Sequence, residues 1–157
     1  MAEEQMSFYV LIASEQMSND GEVIPASTVL SALVARGKWF LTSYAPYRQV
    51  YHEGDRVIFY LAGRKHRYFA GTAIIADKAK PITASEEALL AKLGLYGFEY
   101  ELQLDEIVVW DVPVPILQLV ERLDFIKDKK NYGLNLRQAA ARISSKDYNV
   151  IIYCHSS

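Results

Sequence analysis

One tryptophan, three tyrosines and several basic residues fall within one short stretch of the sequence. The aromatic residues are Trp39, Tyr44, Tyr47 and Tyr51, and the basic residues around them are Arg36, Lys38, Arg48 and Arg56. Aromatic rings stack on unpaired nucleic-acid bases, while Arg and Lys contact the phosphates. The stretch is therefore typical of a surface that binds a nucleic acid. The same rings also suit a hydrophobic core, so both interpretations stay open at this point.

Catalytic patterns are missing from the sequence. There is no Gly-x-Ser-x-Gly, no Gly-x-x-x-x-Gly-Lys and no His-Glu-x-x-His. His52, His66 and His155 lack a second His or Cys at ligand spacing, and Cys154 is the single cysteine. We therefore expect no catalytic residue, no metal site and no cofactor. A hydrolase of small molecules or nucleotides remains a third, less favoured alternative.

Charge is distributed unevenly along the chain. The formal net charge is −2, which argues against a protein that coats DNA through bulk electrostatics. However, the range from Arg36 to Arg67 contains seven basic and two acidic residues. The range from Glu86 to Asp111 contains seven acidic residues and one basic residue. This asymmetry favours a molecule with one face for a polyanion, although solvated surface charge would explain it equally well.

Length and hydropathy predict one domain. The chain has 157 residues, of which 51% are hydrophobic, enough to form a single core. No run of about 18 apolar residues is present, and the first residues are acidic where a signal peptide would be basic. We expect a single cytoplasmic domain over 1–157 that does not contact a membrane. The alternative is that this domain is the N-terminal module of a longer protein.

Hydrophobic patterning predicts an α+β domain. Strands are predicted over residues 7–13, 39–42, 55–61 and 67–75, and a long strand over 98–110 that Pro113 and Pro115 close. Helices are predicted over 26–36, before Gly37, and over 84–93, with Ser85 as a possible cap. Residues 116–123 should form a helical turn. Residues 146–153 suit a helix or a strand, and we favour the helix. Residues 63–66 should form a basic hairpin tip.

The order of these segments resembles the EVE domain of the PUA-like superfamily. The matching segments are Tyr9–Ser14, Lys38–Trp39, Gly54–Tyr60, Phe69–Gly71, Val112–Ile116, Leu123–Ile126, Lys130–Gly133, Asn135–Arg137 and Ile143–Tyr148. The related YTH domain has a similar layout, with a serine at the position of Ser14 and a cage tryptophan at that of Trp39. The resemblance implies a PUA-like pseudo-barrel, a curled mixed sheet of five or six strands flanked by short helices.

The resemblance also implies a function and a set of contacts. EVE domains are associated with 5-methylcytosine and its oxidised forms in DNA, and YTH domains with N6-methyladenine in RNA. A domain of this kind flips the base into an aromatic pocket. The implied base-binding residues are Ser14, Trp39, Thr42, Ser43, Tyr44, Tyr96, Asn131 and Gln138. For such a base-binding domain we expect the phosphates to be contacted by Arg48, Arg64, Lys65, Arg67, Lys129, Lys130 and Arg137.

Partners follow from the same resemblance. We expect a nucleic acid with a modified base, DNA rather than RNA, with modified RNA as the alternative. EVE domains are often joined to an HNH nuclease or to a GTP-driven restriction subunit, so either is a possible fused or associated partner.

Overall fold

The computed structural model describes residues 6–18, 20–64, 67–136 and 138–156. The strands are β1 (Phe8–Ser14), β2 (Gln16–Met17), β3 (Val23–Ile24), β4 (Lys38–Leu41), β5 (Arg56–Ala62), β6 (Arg67–Ile75), β7 (Lys80–Pro81), β8 (Tyr100–Pro115) and β9 (Ala140–Ile143). The α-helices are α1 (Ala26–Val34), α2 (Ala84–Lys92) and α3 (Ser145–Ser156). Short 3-10 helices cover Ile116–Gln118, Val120–Arg122 and Tyr132–Leu136.

One curled mixed sheet organises the domain. Six strands follow the order β4-β8-β6-β5-β1-β9, and the short β7 also pairs with β8. The β1–β5 pair is parallel, and the other pairs of this sheet are antiparallel. The predicted α+β architecture with a sheet of five or six strands is confirmed.

A hydrophobic core covers each face of the sheet. The central strands are apolar at consecutive positions, so they place apolar side chains on both faces. In β5, Val57 and Phe59 pack into one core with α1 and β4. Ile58 and Tyr60 point to the opposite face, where α3 and the segment after β8 form a second core. Consecutive residues of β5 therefore belong to different cores, and this alternation decides which side chains can reach a given site.

The helices form largely where the sequence predicts them. α1 buries Val29, Leu30 and Leu33, and Gly37 follows its end with a φ of 70° that suits glycine. The predicted C-terminal helix is confirmed as α3, whose first turn is capped by the Ser144 hydroxyl. The cap expected at Ser85 is wrong. Thr83 caps α2 instead, because its hydroxyl lies 3.2 Å from the Glu86 amide nitrogen. None of the helices in the described ranges is long and apolar enough to span a membrane.

The strand β8 is longer than the pattern predicts. It continues through Pro113 and ends at Pro115, whereas we expected its last residues near Trp110. Among the described residues, the one strand that pairs with β8 beyond residue 103 is β6, so the other edge of β8 is open there. Prolines are tolerated at such an edge, where no amide is needed for a ladder. The predicted turn after it consists of two 3-10 helices. Strands β2, β3, β7 and β9 are short and were not predicted.

Candidate nucleic-acid interface

A cleft of about 420 Å³ opens where β5 ends and β6 begins. The 3-10 helix Tyr132–Leu136 and the turn before it form its other wall. The lining residues are Tyr60, Ala62, Gly63, Arg67, Lys130, Asn131, Tyr132, Gly133 and Leu136. The volume lies within the range of about 300–1,000 Å³ that small-molecule sites occupy. The cleft therefore has room for a nucleobase and part of its sugar.

Tyr60 brings a buried ring and a polar tip to this cleft. Only 1% of the residue is exposed, and its ring packs 5.2 Å from that of Phe69. Burial raises the pKa of the hydroxyl, Tyr132 raises it further, and Arg67 lowers it. Because both of these neighbours line the cleft, the Tyr60 hydroxyl faces the same space. It stays protonated at neutral pH and can donate or accept a hydrogen bond.

Arg67 and Tyr132 form a pair across the cleft. Arg67 Nη1 donates to the Tyr132 hydroxyl at 3.2 Å, and the guanidinium carbon lies 5.7 Å from the ring centroid. Arg67 Nε also donates to the Gly63 carbonyl at 3.2 Å. These neutral partners orient the guanidinium without neutralising it. Its charge is thus available to an anionic ligand.

A second cavity of about 300 Å³ continues from the cleft on the other side of this pair. It shares Arg67 and Tyr132 with the cleft and adds Arg64. The Arg64 amide nitrogen donates to Glu15 Oε1 at 2.8 Å, which fixes the backbone at the start of the connection. The two cavities form one basic groove around the Arg67–Tyr132 pair.

The basic residues of this groove differ from Arg36 and Lys38 in their ion pairs. Arg36 and Lys38 form ion pairs with Glu86 and Glu101. Among the described residues, no carboxylate forms an ion pair with Arg64, Arg67 or Lys130. Part of the positive stretch seen in the sequence is therefore neutralised by ion pairs. Arg64 and Arg67 at the groove form no ion pair with the described residues, and the same holds for Arg48 and Arg56 outside it.

Solved structures match this chain over almost its whole length, although no protein-family model and no curated protein matches it. The DUF55 domain of human thymocyte nuclear protein 1 has a TM-score of 0.62 and 12% identity, with 95% of this chain and 98% of that one covered. The human THYN1 protein in complex with 5-methylcytosine containing DNA gives 0.61 and 11%, covering 96% and 98%. The YTH domain of the Zygosaccharomyces rouxii MRB1 protein in complex with N6-methyladenosine RNA gives 0.59 and 14%, covering 99% and 90%.

The chain has the PUA-like fold. The strand order and the flanking helices are those of the pseudo-barrel that the sequence predicted, and the EVE resemblance is confirmed at the level of the fold.

Five of the predicted contact residues come together in this PUA-like fold. Arg67, Lys130 and Asn131 line the cleft, and Arg64 lines the adjoining cavity. Ser14 is exposed at the end of β1, where it pairs in register with Ala62 of the cleft wall. The parallel β1–β5 pairing places the ends of both strands at the same edge of the sheet.

Trp39, expected to form the stacking wall, does not line this groove and lies in a buried core instead. Its indole is 2% exposed and stacks on Phe59 at a centroid distance of 5.4 Å, inside the core beneath α1. Tyr60, the next residue of β5, points to the opposite face of the sheet. The alternation of β5 thus separates the tryptophan from the cleft. Tyr51 belongs to the same core and packs on Tyr9 at 4.8 Å.

The remaining predicted base contacts are dispersed. Tyr44 is 94% exposed on the loop after β4, and its neighbours Thr42 and Ser43 also lie away from the cleft lining. Tyr96 lines a different cavity of about 640 Å³ beside α2. Gln138 is exposed and does not line the cleft.

Four predicted phosphate contacts are not at the groove or cannot be placed there. Arg48 lies over the Tyr100 ring at 4.2 Å, away from the cleft. Lys129 Nζ donates to the Leu123 carbonyl at 2.6 Å, so its ammonium group supports the chain locally. Lys65 and Arg137 lie outside the described residues.

Two cleft tyrosines, Tyr60 and Tyr132, were not predicted as site residues. Tyr60 lies in an otherwise apolar strand, and a hydroxyl there needs a partner or an opening; this was the available signal. Tyr132 belongs to the segment Lys130–Gly133 that carried the family resemblance. Within the described ranges, no group of three or more His, Cys, Asp or Glu side chains is arranged to hold a metal ion.

Proposed function

We propose that this chain is a binding domain for nucleic acid with a modified base, and that the cleft around Tyr60, Arg67 and Tyr132 holds the base. The observation that carries this proposal is the groove itself. It combines uncompensated Arg and Lys side chains with two tyrosine rings, and proteins that bind unpaired nucleotides use this combination.

The chemistry of the lining supports binding rather than catalysis. The described residues of the cleft wall offer Tyr, Asn, Arg and Lys side chains and include no Asp, Glu, His, Cys or Ser. A hydrolase would need a general base within reach of a water molecule or a nucleophile. The cleft can provide hydrogen bonds, stacking and positive charge, and these are the interactions that retain a nucleotide.

For the ligand we propose 5-methylcytosine or an oxidised form of it in DNA, taken out of the duplex. The similarity to the THYN1 complex with 5-methylcytosine containing DNA supports this choice. Extrusion of a base costs a few kcal/mol, and stacking on an aromatic ring contributes about 1–3 kcal/mol per base. Hydrogen bonds in the cleft and phosphate contacts at Arg64, Arg67 and Lys130 would offset the rest. A nuclease or a GTP-driven restriction subunit is the partner class that we propose for such a domain.

A binding panel tests this proposal. Fluorescence anisotropy is measured with a duplex that contains one 5-methylcytosine, the unmodified duplex, an RNA strand with one N6-methyladenosine and its unmodified counterpart. We expect the methylated duplex to bind most tightly. Tighter binding of the modified RNA would indicate that the ligand is modified RNA rather than DNA, in line with the similarity to the YTH complex. Equal affinity for modified and unmodified probes would contradict modified-base recognition.

Charge variants test the location of the interface. Lys130→Ala and Arg67→Ala should each weaken all probes by about tenfold and reduce the slope of log affinity against log salt by about one, because each removes one phosphate contact. The matched controls are Lys92→Ala and Arg122→Ala, whose exposed side chains do not line the cleft. Equal losses of binding affinity in the groove variants and in the controls would show that the interface does not lie at the groove.

A further inference from the structure

Asp128 organises the turn that carries Asn131 to the cleft. Its Oδ1 accepts hydrogen bonds from the backbone amides of Lys130 and Asn131, each at 3.1 Å. Its Oδ2 accepts from the Asn131 side-chain Nδ2, also at 3.1 Å. One carboxylate thus fixes both the backbone and the side chain of Asn131. The Asn131 side-chain bond is the main cause that lowers the pKa of Asp128, so the carboxylate stays ionised at neutral pH.

The ionised carboxylate determines which way the Asn131 amide points. A carboxylate only accepts hydrogen bonds, so the NH₂ group of Asn131 must face Asp128. The carbonyl oxygen Oδ1 then points away from Asp128, and no donor among the described residues occupies it. Because Asn131 lines the cleft, this oxygen is a fixed acceptor for a ligand.

A fixed acceptor distinguishes nucleobases by their exocyclic groups. Cytosine and adenine both carry an amino donor next to a ring nitrogen that accepts a hydrogen bond. Thymine and uracil carry a carbonyl oxygen at the corresponding position, which would face the Asn131 oxygen without a proton between them. The Tyr60 hydroxyl can donate or accept, so it satisfies either ring nitrogen and does not discriminate.

We propose that Asn131 Oδ1 is the specificity-determining acceptor of the cleft, that it selects bases with an exocyclic amino group, and that Asp128 is its positioning residue. This inference rests on the proposed function, since it assumes that the cleft holds a base. A site that hydrogen-bonds a group of its substrate rejects analogues that lack this group more strongly than a purely apolar pocket does.

The test compares 5-methylcytosine with thymine in otherwise identical DNA duplexes, each placed opposite an abasic site. The two bases share the 5-methyl group and differ at position 4 and in the proton on N3, and the abasic site removes any difference in base pairing. We expect the protein to prefer the 5-methylcytosine duplex by about tenfold. Asn131→Ala should reduce this ratio to near one. The matched control Asn149→Ala, at an exposed position of α3, should keep it.

Asp128→Asn tests the positioning role. An asparagine at this position both donates and accepts, so it no longer dictates the orientation of Asn131. We expect a loss of the 5-methylcytosine preference with an unchanged salt slope, which shows that the groove is intact. Asp111→Asn removes the same charge at an exposed position outside the cleft and should change neither. Thermal melting of each variant confirms that it is folded.

The outcomes separate this inference from the proposed function. Tight binding of both duplexes without preference would overturn the inference and leave binding by the groove in place. A preference that Asn131→Ala retains would also overturn it, because another group would then supply the discrimination. Failure of every probe to bind would remove the proposed function and this inference with it.

Discussion

Phe59 and Tyr60 are consecutive residues of β5 whose rings serve opposite faces of the sheet. Phe59 is fully buried against Trp39, whereas Tyr60 reaches the cleft. Aromatic type alone does not distinguish these positions. The alternation of side chains along the strand decides on which face of the sheet each ring packs.

Trp39 should therefore behave as a core residue. We expect Trp39→Ala to lower the free energy of unfolding by about 3–5 kcal/mol, since it leaves a large cavity beside Phe59. Thermal and urea unfolding measure this change. Tyr44→Ala is the control, because Tyr44 is 94% exposed and its truncation should alter stability by no more than about 0.5 kcal/mol. A stable Trp39→Ala protein that has lost its preference for the modified probe would restore Trp39 to the binding site.

At the scale of elements, Gly71 of β6 lies directly against the backbone of β8. A Cβ atom at this position would lie 2.2 Å from the Val108 carbonyl oxygen and 3.0 Å from Val109 Cα. The pairing shifts register on both sides of Gly71, and Glu106 nearby has a φ of 50°. Such irregularities increase local twist and help a sheet to curl. The glycine thus permits the contact on which the curvature of the sheet depends.

Gly71→Ala should destabilise the domain by about 1–3 kcal/mol or more, because the obstructing atoms belong to the backbone and cannot rotate away. Urea unfolding gives the change in free energy. Gly133→Ala is the matched control, since its Cβ would meet no atom within 4 Å and its φ is not positive. Equal stability of the two variants would show that β6 and β8 can separate at this point without cost.

The sequence predicts the long elements better than the connections. β1, β5 and β6 carry continuous apolar runs, and α1 has a clear helical stripe, so their burial follows from local pattern. β9 has only four residues and is a strand because it pairs with β1, far away along the chain. The register shifts in β8 likewise depend on its pairing with β6, so no local sequence pattern predicts them.

At the scale of the whole molecule, some charged side chains form a cluster of ion pairs around Glu86, and others line the open groove. Arg36 and Lys38 hold Glu86, which is 9% exposed, and Arg36 Nη2 donates to Glu86 Oε1 at 2.8 Å. This cluster joins α2 to the end of α1 and to β4. The candidate site could be predicted only in part from the sequence. Arg67 and Lys130 were predicted as phosphate contacts and Asn131 as a base contact, and all three line the cleft. Which basic residues form ion pairs depends on contacts between distant segments, which the sequence does not reveal.

Acid should weaken the Glu86 cluster. The hydrogen bond from Arg36 is the main cause that lowers the pKa of Glu86 in the folded chain. A carboxyl whose pKa is lower when folded stabilises the protein above its unfolded pKa of about 4.3, and this stabilisation disappears as the pH falls through the folded pKa. Glu86→Gln should therefore cost on the order of 1 kcal/mol at pH 7 and progressively less below about pH 4.

Urea unfolding at pH 7, 4 and 3 measures this dependence. Glu87→Gln is the control, since Glu87 is exposed in the same turn of α2 and forms no ion pair with the described residues. A Glu86→Gln penalty that stays constant with pH would show that the cluster contributes packing rather than charge.

The position of β1 between β5 and β9 has a consequence for the order in which the chain folds during synthesis. β1 leaves the ribosome before both of its partners, since its parallel partner ends at Ala62 and its antiparallel partner at Ile143. The edge of β1 that β9 covers stays unpaired until residues 140–143 have been translated. Such pairings between distant segments are slow to form and leave strand edges exposed to other chains. A chain truncated before residue 140 should therefore aggregate through β1, whereas the full chain closes that edge with its own last strand.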